Sequence, residues 1–292
     1  MRLPLTVVAG LAAALPQAAH AANIYMLSST DGPTDAAAAS ALTALGHSVT
    51  VGVPYTLFDG TVSLAGFDTV YLQANFNWTG GPMSPSGQAQ IVDFVQNGGR
   101  LVTSEWAGYY SASNFSTLGA VMPIVQTFTY GSFLSTAFDQ VTPDPQVTAG
   151  VPVTFSVTLT SYTGTELHTA AKPGATVYYT TQNSPGAVAL AGWAQGSGVV
   201  FSFTSTCGPD QVGDPNFARL FANVMGVGGN GCYPNCDGST QAPVLNVADF
   251  GCFLTRYAAG EPYANCDGST QAPVLNVADF GCFLTRYAAG CR

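Results

Sequence analysis

Ser84-Pro-Ser-Gly-Gln-Ala-Gln-Ile-Val-Asp-Phe-Val-Gln-Asn-Gly-Gly-Arg-Leu-Val-Thr103 is the stretch that decides the fold. A helix is expected over 84–97. Ile91, Val92 and Val95 fall at helical spacing and should face inward. Gly98-Gly99 closes the helix, and Arg100–Thr103 reads as a short strand. Working outward, Ile24–Leu27 is an apolar strand and Thr34–Leu45 an Ala-rich helix ending at Gly46. Ser48–Val53 alternates as a second strand, and Thr69–Gln73 forms a third. Strands alternating with helices predict an α/β domain over 23–226, with a parallel sheet covered on both faces. Its second half is richer in strands: Val153–Leu159, Thr176–Thr181, Ala187–Ala194 and Val199–Thr204. A helix at Asn216–Met225 closes it, and residues 227–231 are a Gly-rich linker.

The chain begins with Arg2, an apolar run from Leu3 to Leu15, and small residues around Ala19-His20-Ala21. That layout predicts a secretory signal peptide over 1–21, too short in its apolar part to span a bilayer. A secreted or cell-surface-attached protein, in a compartment where disulfides persist, is therefore expected. Only 8% of the 292 residues are charged, Lys172 is the single lysine, and the formal net charge is −9. Nucleic acid and anionic membranes, which need clustered Lys and Arg, are disfavoured as partners. No stretch is long and apolar enough to predict a membrane span.

The last 61 residues, 232–292, hold an internal repeat: Asn235–Gly260 recurs letter for letter as Asn265–Gly290. Each copy pairs a turn-rich loop with a helix that starts at Asn246 or Asn276. Phe250, Phe253, Leu254 and Tyr257 sit at i, i+3, i+4 and i+7, one apolar stripe. Asn246 suits the N-cap, Asp249 the first turn and Gly260 the C′ position. Neither loop–helix unit can bury its stripe alone, so the two should pack together into a small α-helical module. Six of the seven cysteines lie here, and six allow fifteen connectivities. The repeat favours Cys236–Cys252, Cys266–Cys282 and a clasp Cys232–Cys291. Closed loops of about 15 residues contribute roughly 3 kcal/mol each in the chain-entropy picture.

On these residues the tail resembles a dockerin domain of the cysteine-containing, planctomycete type. The resemblance implies two calcium loops. Asn235, Asp237, Asn246 and Asp249 would ligate in the first copy, and Asn265, Asp267, Asn276 and Asp279 in the second. Tyr233 and Tyr263 stand where the family places its first acid, and residues 239–243 are extra. A set this poor in carboxylates implies a weak site of the extracellular kind, with dissociation constants of roughly 10⁻⁴ to 10⁻³ M. The alternative is a disulfide-held loop in which the Asp residues cap helices. The resemblance also implies a cohesin-like or other surface protein as docking partner, met at Val247, Ala248, Val277 and Ala278.

The larger domain resembles the class I glutamine amidotransferase-like fold in its ThuA-like branch. The matching stretches are 41–49, 67–72 and 94–102, and they imply a flavodoxin-like, doubly wound sheet. Catalytic members carry a cysteine in G-x-C-x-G after the strand equivalent to Arg100–Thr103. Here the chain reads Ser104-Glu105-Trp106-Ala107-Gly108, so thiol-based glutamine hydrolysis is not expected. Cys207 follows another strand and reads as a buried thiol. Ligands of open α/β sheets sit beyond the carboxyl ends of the strands. The residues expected there are Ser29, Asp31, Asn75, Asn77, Trp78, Glu105 and Trp106, a set suited to stacking on and hydrogen-bonding a carbohydrate or other small ligand. Three readings stand open. The tryptophans pack the loops and Glu105 is structural; the crevice binds without chemistry; or Glu105, with Asp31 as nearest second carboxylate, serves an extracellular glycan hydrolase. Ser104 would need a base, and His168 is the only candidate.

Overall fold

The computed structural model describes residues 21–73, 81–125, 127–227, 234–237, 239, 243, 245–266, 269 and 272–290. Residues 1–20 of the proposed signal peptide, 228–231 of the linker, Asn75, Asn77, Trp78, Cys232, Asp267 and Cys291 lie outside the described residues.

The first half builds as its sequence dictates. Strand β1 (Asn23–Ser28) leads into α1 (Gly32–Ala44), then β2 (Ser48–Pro54) and β3 (Thr69–Leu72). Helix α2 (Pro85–Gln96) starts where Ser84 Oγ accepts the Gly87 N–H at 3.0 Å, with Pro85 in the first turn. It buries Ile91 and Val95 and delivers the chain to β4 (Arg100–Thr103). Next come α3 (Ser116–Val121), β5 (Tyr130–Gln140), β6 (Thr154–Glu166), β7 (Thr176–Thr181), β8 (Ala187–Gln195) and β9 (Gly198–Phe203). Helices α4 (Pro209–Gly213) and α5 (Pro215–Gly226) follow; Asp214 caps α5 by accepting the N–H groups of Asn216 and Phe217 at 2.9 and 3.0 Å.

One nine-stranded sheet results, in the order β2-β1-β3-β4-β9-β8-β7-β5-β6. Strands β2-β1-β3-β4-β9 are parallel, the doubly wound flavodoxin-like core. Beyond β9 every pairing is antiparallel, so the wholly parallel sheet expected from sequence is corrected to a mixed one. The cause is local: β8 and β9 are joined by a two-residue turn, Gly196-Ser197, too short for a parallel crossover. Strand β5 is a second correction, since no strand was expected between Thr103 and Val153. Strand β6 runs to Glu166, seven residues past its expected end. Apolar side chains fill both sides of the sheet. One cluster gathers α1 and α5 around Phe138, Phe203, Phe217 and Phe221; the other gathers α2 and α3 around Leu27, Leu72, Ile91 and Leu101.

The tail is a separate small core. Helices α6 (Val247–Ala258) and α7 (Val277–Ala289) stack Phe253 on Phe283 with centroids 4.1 Å apart and planes at 20°. Bonds Cys236–Cys252 and Cys266–Cys282 are formed as expected. The expected stripe needs one correction: Leu254 and Leu284 are 40% and 46% exposed. The buried face is centred on Phe253, with Asp249 and Tyr257 one turn away on either side. At about 100° per residue, Leu254 is turned out of that face. Among the described residues no helix is long and apolar enough to cross a membrane.

Candidate functional site

The chain leaving β4 makes a sharp elbow. Trp106 has φ = +70°, a left-handed backbone that costs a non-glycine residue roughly 1–2 kcal/mol. Such strain collects at functional positions. Aligning Gly108 with the last glycine of G-x-C-x-G puts Trp106 in the place of the cysteine.

Around that indole lies an aromatic patch. The Trp106 ring centroid is 5.3 Å from Tyr109, 6.1 Å from Tyr110 and 5.1 Å from Tyr130. Tyr109 also meets Phe128 edge-on at 6.1 Å. Phe128 and Tyr130 are 73% and 53% exposed, while Trp106, Tyr109 and Tyr110 are half-buried. The patch is supplied by two segments only, the elbow and the chain entering β5.

Beneath it are two carboxyl groups. Glu105 and Glu166 are almost fully buried, at 1% and 0% exposure. The end of β6 is bound to the end of β9, Glu166 N–H donating to Thr204 O at 2.8 Å and Thr165 bridging Ser205, while Glu105 N–H donates to Ser205 O at 3.1 Å. That pairing brings Glu166 under the elbow. Its Oε1 accepts the Tyr109 N–H at 2.9 Å. Two glycines make room. A Cβ on Gly108 would stand 2.4 Å from Glu166 Oε2, and one on Gly164 would stand 2.2 Å from Glu105 Oε1.

Burial pushes the Glu166 carboxyl up to about 8, against the lowering pull of the main-chain groups of Tyr109, Trp106 and Gly108. Burial, and then the neighbouring Glu166, push Glu105 well above the usual carboxylate range. Among the described residues neither Glu105 oxygen, nor Glu166 Oε2, Thr165 Oγ1 or Ser205 Oγ, has a hydrogen-bond partner. At neutral pH Glu105 therefore holds its proton, because an unpaired buried carboxylate is expensive.

The other expected site residues are placed differently. Asp31 stands at the start of α1 and accepts the Thr34 hydroxyl; the acid facing Glu105 is Glu166, so Asp31 is corrected as its partner. Ser29 is buried and donates to Asp35 Oδ1 through both Oγ (2.7 Å) and N (3.0 Å), which closes the β1 end. His168 Nδ1 lies 3.2 Å from Ser184 Oγ and does not serve Ser104. Cys207 is a free, fully buried thiol pushed up to about 12 by burial, inert as a nucleophile. Sequence reasoning missed Glu166, Tyr109, Tyr110, Phe128 and Tyr130. Tyr109-Tyr110, close after Glu105-Trp106, is the available signal; Tyr130 and Glu166 lie in strand β5 and the extended end of β6, and Phe128 just before β5, where no local pattern marks a strand.

In the tail, Asp249 is fully buried and its oxygens accept Asn246 N–H at 2.8 Å and Asp237 N–H at 3.2 Å. Asn246 Oδ1 takes the Ala248 N–H at 2.8 Å, and Asp237 Oδ1 the Ser239 N–H at 2.9 Å. Asn235 turns its amide N–H to Ser239 O at 2.8 Å. Asn276 and Asp279 repeat the same reciprocal cap. Calcium needs six to eight free oxygens, and a carboxylate engaged by main-chain N–H groups does not offer them. Asp267 and residues 238, 240–242 and 244 of these loops lie outside the described residues, and among the described ones no cluster of three His, Cys, Asp or Glu side chains gathers. Asn265 belongs to the same loop in the second copy, its amide N–H donating to Ser269 O at 2.9 Å. Val247 and Val277 are both 84% exposed, with Ala248 and Ala278 exposed beside them.

No family model matches the chain, and no curated protein matches it. Among solved structures, two proteins described as cytoplasmic proteins of Salmonella typhimurium share its fold. Each has a TM-score of 0.52 and 15% identity over 70% of this chain, and the match covers 97% and 98% of their own lengths. A ThuA-like protein of Parabacteroides merdae is similar with a TM-score of 0.52 and 11% identity, over 73% of this chain and 91% of its own. At these identities the likeness shows the fold: a ThuA-like, glutamine amidotransferase-like α/β domain.

Proposed function

We propose that this is an exported protein, secreted or held at the cell surface, whose α/β domain binds a carbohydrate without transforming it and whose tail docks it to a surface protein. The observation that carries the binding reading is the aromatic patch, set on the strained elbow where the fold would otherwise hold a nucleophile. Half-buried rings with polar edges, held rigidly by main-chain geometry, suit stacking on sugar faces. Two disulfides in a module of this size support the extracellular assignment. Val247, Ala248, Val277 and Ala278 remain the docking positions, and a cohesin-like protein the partner. Calcium would enter that module only by displacing the donors that now occupy Asp249.

The hydrolase reading has one observation in its favour, the Glu105–Glu166 pair. It fails on access, since neither acid reaches solvent and a glycosidase needs both substrate and water between its carboxyls. Electrophoresis of the full chain through gels containing soluble polysaccharides tests both. Retardation lost in Trp106→Ala, with no release of reducing ends, is the expected result. Reducing ends released by the wild type and abolished by Glu105→Gln would establish the hydrolase instead.

A further inference from the structure

We infer that the chain pairs with a second copy of itself along strand β6, two-fold symmetric about Ser156, so that two nine-stranded sheets join edge to edge. Strand β6 closes one side of the sheet, its Thr154–Thr158 stretch paired with β5. Gln140 N–H donates to Val153 O at 2.7 Å, and Phe138 and Thr136 stand opposite Phe155 and Val157. The main-chain groups of Val153, Phe155 and Val157 therefore face β5, and those of Thr154, Ser156 and Thr158, one residue out of step, face away from the sheet. Thr160 also turns its N–H outward, to Asp210 Oδ2 at 2.7 Å. Among the described residues the outward groups of Thr154, Ser156 and Thr158 have no strand beside them.

Natural sheets blunt such an edge with Lys, Pro or a bulge. The opposite edge, β2, is blunted in this way by a register shift and by Pro54. From Thr154 to Thr158 β6 has no charge, no proline and no register shift. What fits it is its own sequence. Thr154-Phe-Ser-Val-Thr158 reads alike in chemistry from either end, hydroxyl alternating with apolar. Laid antiparallel on a copy, Thr154 stands opposite the partner's Thr158, and Phe155 opposite the partner's Val157. The hydroxyl side chains, exposed in one chain, then share one face, and the buried apolar ones the other. The register also ends itself. Thr160, whose N–H is held by Asp210, would meet the partner's Pro152, which has no N–H to offer. An isologous contact of this kind closes at two copies. It gives the molecule two elbow patches and two tails, so that weak contacts with one polymer or surface reinforce each other.

Sedimentation velocity of the full chain, from low to high micromolar concentration, tests the inference. A concentration-dependent shift from one chain to two is expected, with no larger species. Residue 156 faces its own copy, so Ser156→Lys or Ser156→Glu alone sets like charges in contact. Each variant should stay a single chain with an unchanged far-UV spectrum, since Ser156 is exposed. Mixing the two variants should restore the dimer, because opposite charges then meet at the two-fold; damage to the fold would not be repaired by mixing. A wild type that remains a single chain at high micromolar concentration would overturn the inference. So would a dimer that persists in either variant, or variants that fail to pair when mixed.

Discussion

Glu105 and Glu166 carry the most distinctive residue-scale chemistry. Both carboxyls are raised, Glu166 to about 8 from an ordinary value near 4.5, so the folded chain holds protons there that the unfolded chain releases. Their contribution to stability is present below about 4.5 and is lost as pH rises through about 8. His47 acts in the opposite sense. It accepts the Ala22 N–H on Nδ1 and donates from Nε2 to Ala222 O, and burial lowers its pKa, so stability is lost as pH falls below about 6.5. Melting of the α/β domain should therefore fall between pH 6 and pH 9. Glu105→Gln and Glu166→Gln should each flatten that fall, melting higher than wild type at pH 9. Variants that melt lower than wild type at pH 9 as well as pH 6 would contradict the protonated pair. Of these residues the sequence announced Glu105 and Trp106 by their place after a recognisable strand. It could not announce Glu166, because the two acids lie 61 positions apart and are joined only by the bridge from the end of β6 to the residues just after β9.

Elements legible in the sequence were those whose ends are written locally. Helix α2 has its Ser-Pro start and Gly-Gly stop, α5 its Asp-Pro start, and α6 and α7 their Asn caps with Asp three residues on. Strand β5, Tyr130-Gly-Ser-Phe-Leu-Ser-Thr-Ala-Phe-Asp-Gln140, was not legible. Its burial alternates only weakly, and its identity comes from partners far along the chain. In the tail the helical stripe was read correctly except at Leu254, where four apolar positions exceed what one partner helix covers. Phe253→Ala should cost about 3–5 kcal/mol by removing the ring stacked on Phe283, whereas Leu254→Ala should cost within about 0.5 kcal/mol. Thermal melting of the full chain with each substitution checks this. Chelator should leave the tail transition where it is, since its loops close on N–H donors and disulfides; a drop on chelation would show that calcium displaces those donors.

At the scale of the molecule, the chain joins a ThuA-like α/β domain to a duplicated, disulfide-held module. Trp106, at the strained turn after β4, carries the proposed binding site. Titrating the full chain, with Trp78 and Trp193 replaced by Phe, with an oligosaccharide identified by gel retardation makes Trp106 the sole fluorescent indole. The account predicts a saturable change in Trp106 emission at the concentration that retards the protein. Binding that leaves Trp106 emission unchanged would place the sugar elsewhere and contradict the elbow as the binding site.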